Sequence, residues 1–131
     1  MKTTDQLINQ IKASKEYKPV ENRLEMNINQ FLIEQLEGIN RKVMFTQIDM
    51  DPRNGNKYIN GERQVSRDIL IKIFLYLQFE LEDYNQVFKN FGYPKLYAKN
   101  KRDGALIYCI HNKYSYLETK RFLQQHKLEL L

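Results

Sequence analysis

Apolar residues return at helical spacing along almost the whole chain, and polar caps and glycines punctuate them. Thr4 followed by Asp5 reads as a helix start, with Leu7, Ile8 and Ile11 on one face and an end near Ser14. The stretch KEYKPVENR, with Pro19 and mixed charges, reads as a linker or irregular arm. Asn27 can cap a helix carrying Ile28, Phe31, Leu32 and Leu36, which Gly38 stops in the usual C-terminal position. Asn40 then caps a short helix, Arg41–Ile48, with Val43, Met44, Phe45 and Ile48 as its apolar side. Asp51-Pro52 is a strong local signal: a carboxylate at the cap accepts backbone N–H bonds, and proline at the first helical position gives up none. The helix it opens runs to about Ile59 and stops at Asn60-Gly61. Ser66 caps Arg67–Gln78, with Ile69, Leu70, Ile73, Phe74 and Leu77 inward. Helices over Glu82–Phe91, Lys101–Asn112 and Tyr116–His126, the last capped by Ser115, complete an all-α chain, a compact helical bundle.

The last four of these helices contain a repeat. A shift of 35 residues lays Arg67-Asp68 on Arg102-Asp103. Ile71 then falls on Leu106, Ile73 on Tyr108, Leu75 on Ile110 and Phe79 on Tyr114. Farther on, Val87-Phe88 fall on Phe122-Leu123, Tyr93 on Leu128 and Leu96 on Leu131. Identity is almost absent, yet the apolar pattern holds without a gap. Residues 67–96 and 102–131 read as two copies of one helical hairpin, stacked side by side. The alternative is coincidence between two amphipathic hairpins of similar length.

Composition narrows the class. A chain of 131 residues that is 42% hydrophobic suits one compact domain, and five Gly with three Pro favour helices over a turn-rich sandwich. The longest apolar run, near Ile69–Leu77, is broken by Lys72, and MKTTDQLINQIK lacks the apolar core of a signal peptide. A lone Cys109 forms no internal disulfide, which fits a cytoplasmic protein. The net charge of +5 is uneven: residues 73–88 hold three acids and no base, whereas residues 89–127 hold nine bases and two acids. Such a distribution suits a polyanionic partner or, more blandly, a solvated basic face.

Between Asn40 and Gly61 two short helices flank the tight turn Asp49-Met50-Asp51. In a helix-turn-helix the first helix crosses the DNA backbone and the second lies in the major groove. The spacing resembles the Cro/repressor (Xre-like) family. Met50 stands at that pattern's buried turn residue, Asp51 at the cap of the recognition helix, Tyr58 at the apolar residue near its end and Gly61 at the closing glycine. The downstream NGERQVSRDILIKI and LEDYNQVFKNFGYPKLY are similar to segments of one bacterial group of Xre-like proteins. The resemblance spans residues 27–131, with residues 1–26 as a separate N-terminal helix and arm. The chain departs from it twice. Asp49 replaces the usual turn glycine, and Asp tolerates a left-handed backbone well. Phe45 replaces the usual alanine at a tight helix crossing, for which Gly55 opposite can compensate by having no side chain.

The resemblance implies a sequence-specific DNA-binding transcriptional regulator of the repressor kind, dimeric on double-stranded DNA and needing no cofactor. The polar face of residues 52–60 carries Arg53, Asn54, Asn56, Lys57 and Asn60, whose donors and acceptors suit base edges. Arg41 and Lys42 would reach phosphates beside their helix start, and Asp51 would fix where the recognition helix begins. Each of these side chains can equally be a solvated helix surface. A protein-interaction adaptor working through the C-terminal hairpins, and RNA binding by the basic stripe, are the rival functions. Asp68 and Asp103 read as helix-start acids rather than catalytic ones, and a basic cluster of Lys95, Lys99, Lys101 and Arg102 as a phosphate-contacting patch. Most of the aromatic residues lie at core spacing; Tyr93 and Tyr97, flanking Pro94, are the candidates for stacking. His111, His126 and the apolar-embedded Cys109 lack metal or catalytic spacing, so no enzyme activity is expected.

Overall fold

Side-chain caps set where the helices begin. In the computed structural model, which describes residues 26–131, the side chains of Asn27, Asn40, Asp51, Ser66, Asn100 and Ser115 each accept the backbone N–H three residues on. Each bond satisfies one of the donors a helix start leaves unpaired. The described residues form seven helices: α1 (Ile28–Gln35), α2 (Arg41–Gln47), α3 (Pro52–Ile59), α4 (Arg67–Leu77), α5 (Leu81–Phe91), α6 (Lys101–His111) and α7 (Tyr116–Gln125). The all-α expectation holds, and the helix expected over Thr4–Ser14 lies outside the described residues. α4 stops one residue short of Gln78, which takes a left-handed conformation at φ 58° and turns the chain into α5.

One hydrophobic core runs through all seven helices. Its centre is Phe74, stacked on Phe79 at 4.5 Å between ring centroids and met edge-on by Tyr84 at 5.4 Å. Phe31 of α1 reaches the same cluster, 6.5 Å from Phe74 and 5.5 Å from Phe91, and so clamps α1–α3 onto the first hairpin, α4–α5. Met44, Phe45 and Ile48 are fully buried, but Val43, expected on that apolar side, is 44% exposed. Val43, Met44 and Phe45 are consecutive, and three consecutive positions fan over more of a helix than its inward face covers.

The expected repeat is visible in the backbone. Phe79 N–H donates to the Phe74 carbonyl and Tyr114 N–H to that of Cys109; Tyr93 N–H donates to Phe88 and Leu128 N–H to Leu123. Gln78 and Lys113 share a left-handed φ, as do Gly92 and Lys127. Each member of these pairs lies 35 residues from the other. Arg67 and Arg102 are equivalent too: Arg67 donates to the carbonyls of Pro94 and Lys95, Arg102 to those of Glu129 and Leu130.

The two copies exchange their ion pairs. Arg67 grips Asp103 through two N–H···O bonds of 3.1 and 2.7 Å, and Arg102 grips Asp68 through two of 3.1 and 2.9 Å. A translation along a stack would carry the first contact to a residue beyond the chain; only a two-fold relation returns it onto the same pair of segments. The hairpins therefore lie against one another about a local two-fold axis, α4 packing on α7 and α5 on α6. Asp68 and Asp103 sit at helix starts as expected, but their main partners are arginines of the other hairpin.

Candidate nucleic-acid interface

The turn between α2 and α3 is built from its residue types. Asp49 is left-handed at φ 55°, where the Cro/repressor pattern has glycine, and Met50 N–H returns to the Phe45 carbonyl at 2.9 Å. Half-buried Met50 packs against the core and Asp51 opens α3. At the crossing, a Cβ added to Gly55 would fall 2.6 Å from the Phe45 ring. The bulky Phe45 is thus accommodated by the missing side chain opposite, as the sequence suggests. At the far end Asn29 of α1 donates to the Tyr58 carbonyl at 2.8 Å, and Gly61 closes the helix at φ 84°.

With Gly55 and Ile59 held inward, the helical period puts Arg53, Asn56, Lys57 and Asn60 on one outer stripe, at i, i+3, i+4 and i+7. Arg53 and Asn60 are exposed, Asn56 and Lys57 half-buried, and exposed Asn54 lies on the adjoining stripe. Among the described residues Lys42, Arg53 and Lys57 have no ion-pair partner, so their charges are available to an outside ligand. Asp51 is committed to α3: its carboxylate accepts from Asn54 N–H at 3.1 Å. Arg41, expected to reach phosphates, also has a partner within the fold. Its Nη1 donates to Asn56 Oδ1 at 3.3 Å, joining the first residue of α2 to the middle of α3. Nothing in sequence spacing signals this bond, because it depends on how the two helices cross.

Behind the turn sits a charged cluster that the sequence does not reveal. Lys120 of α7 donates to Asp49 Oδ2 at 2.8 Å, and buried Lys72 of α4 approaches the Asp49 carbonyl at 3.5 Å and the Tyr116 ring at 5.2 Å. The hydrogen bond from Lys120 draws the Asp49 carboxyl below its usual pKa. Burial lowers that of Lys72, and burial together with the neighbouring Asp49 charge lifts Tyr116 to about 12. These contacts tie the motif's turn to both C-terminal hairpins.

Two other side chains singled out in the sequence, Arg102 and Tyr93, are engaged within the fold. Arg102 is bound to Asp68 and to two carbonyls, so it drops out of the basic cluster with Lys95, Lys99 and Lys101, which stay exposed. Tyr93 donates its hydroxyl to the Val65 carbonyl at 2.7 Å and packs on Phe88, a structural role, whereas Tyr97 is exposed. Cys109 is buried, and burial pushes its thiol up to about 11. Among the described residues no group of His, Cys, Asp or Glu side chains gathers as metal ligands, and no helix is long and apolar enough to cross a membrane. No family model matches the chain, and no curated protein or solved structure is significantly similar to it.

Proposed function

We propose that the chain is a sequence-specific DNA-binding transcriptional regulator of the Cro/repressor type, a repressor that reads the major groove with α3. The observation that carries this is the outer stripe of α3, where Arg53, Asn56, Lys57 and Asn60 stand together on a helix fixed by the Phe45–Gly55 crossing. Arg53 supplies the planar fork that guanine accepts, and Lys42 and Lys57 supply charges for phosphates. One such helix reads few base pairs, so the protein would act as a homodimer on two half-sites of duplex DNA in the cytoplasm.

Selection of binding sites from random duplex DNA tests the proposal. A defined motif should be enriched. Arg53→Ala should relax one position of it at a cost of about 1–3 kcal/mol. Lys42→Ala should weaken all duplexes alike and reduce the salt slope by about one. Binding that is salt-labile, indifferent to sequence and unchanged in Arg53→Ala would remove the regulator. A protein-interaction adaptor would then take its place, favoured by the aromatic surface of the second hairpin, where half-exposed Tyr108 stacks on Phe122 at 5.0 Å and Phe122 on His126 at 4.2 Å.

A further inference from the structure

The bond between Arg41 and Asn56 fixes more than the crossing of two helices. An asparagine carboxamide can face a base in either of two orientations, because its oxygen and its NH2 group are similar in size. Here one orientation is selected. Arg41 has only donors, so the atom within 3.3 Å of its Nη1 has to be Oδ1. Turning the amide over would set N–H groups against a guanidinium that never loses its charge. Arg41 and Asn56 are both half-buried, so water only partly screens this preference. Asn56 Nδ2 has no hydrogen-bond partner among the described residues and is not sealed from solvent.

We infer that Arg41 is a positioning residue for base recognition: it holds Oδ1 of Asn56 toward the α2–α3 seam, so that Asn56 turns its N–H donors outward to DNA. The inference rests on the regulator proposed above and names what its site selects. Bidentate recognition of adenine needs an acceptor for N6–H and a donor for N7. With Oδ1 drawn to Arg41, Asn56 offers the donor of that set more readily than the acceptor. It suits the guanine edge, which shows two acceptors, N7 and O6, in the major groove. Arg41 thereby sets a base preference at a position it need not touch.

The test is site selection from random duplex DNA with the full chain, run for the wild type, Arg41→Met, Arg41→Lys and Asn56→Ala. The position that loses its preference in Asn56→Ala is the one Asn56 reads. There the wild type should favour guanine over adenine by about tenfold, the size of one good base contact. Arg41→Met keeps the side-chain stem and loses every donor. It should shift that one position toward adenine and leave the others in place. Arg41→Lys, which retains charge and a donor, should restore guanine. In the unbound protein, the Asn56 Nδ2 proton resonances should move in Arg41→Met, as the amide becomes free to turn. If Arg41→Met weakens every duplex equally with its motif unchanged, Arg41 is a phosphate contact only and the inference is wrong, while the regulator stands. If the wild type enriches no motif at all, both fall together.

Discussion

Gly55 and Phe45 form a pair in which the usual rule for glycine reverses. Glycine inside a helix ordinarily costs about 1 kcal/mol against alanine. At Gly55 the added methyl would meet the Phe45 ring at 2.6 Å, and the ring is wedged in the core with no exposed surface. Gly55→Ala should therefore destabilise the protein by about 1–3 kcal/mol, the usual penalty for overpacking. Phe45→Ala alone should cost about 3–5 kcal/mol through the space it leaves. Adding Gly55→Ala to Phe45→Ala should then be neutral or stabilising, a change of sign with background. Urea denaturation of the three variants measures this; simple additivity of the two losses would show that the crossing does not depend on the pair.

The two hairpins are joined by equivalent ion pairs in unequal surroundings. The side chain of Asp103 is 8% exposed, and that of Asp68 is 35%. Burial by itself would raise the Asp103 carboxyl, but the hydrogen bonds from Arg67 and Tyr97 N–H, with the charges of Arg67 and Arg102, outweigh it and hold the pKa below the usual value. A carboxyl whose folded pKa is depressed contributes stability that is complete above its unfolded pKa and is lost as pH falls through the folded one. Asp103→Asn should thus cost about 1–3 kcal/mol at neutral pH and flatten the loss of stability on the acid side. Asp68→Asn, nearer to solvent, should cost less at neutral pH. Unfolding midpoints measured from neutral pH down through the carboxylate range test the ranking, and equal effects of the two variants would contradict it.

At the scale of the molecule, the second hairpin supports the α2–α3 pair as well as the first hairpin. Lys120 of α7 holds the Asp49 turn, and α6–α7 supply the partners of Arg67 and Asp68. A chain ending at Lys95 loses all of these, together with Ile110 and Tyr114, which lie beside Leu75, Phe79 and Tyr84. It should lose cooperative thermal unfolding and bind a hydrophobic dye; retention of full stability would mean that α1–α5 fold as an independent unit. The proposed homodimer is tested by light scattering, alone and with a selected duplex. Two chains per duplex are expected, and a monomer in both states would exclude the dimeric reader.

Much of this was legible in the residues, because much of it is local. Caps such as Asn40, Asp51 and Ser115 act within three residues, and apolar periodicity within one or two turns, so the sequence determined all seven described helices nearly to the residue. It also determined the 35-residue repeat and the exchange of bulk between Phe45 and Gly55. The helix over Thr4–Ser14 falls outside the described residues. Tertiary structure alone decided how the copies meet. Arg67 and Arg102 look like two helix starts in sequence, and only the two-fold packing sends each to the other's aspartate. It decided which equivalent faces are covered. Ile73 is fully buried, while its equivalent Tyr108 is 49% exposed, and Phe122, expected in the core with Leu106, Ile110 and Leu123, is only half-buried. It also decided that Arg41 faces Asn56 and Lys120 faces Asp49. The reason is physical: a cap or a period is fixed by neighbours along the chain, whereas these contacts join segments 15 to 71 residues apart and exist only once the helices have crossed at one particular angle.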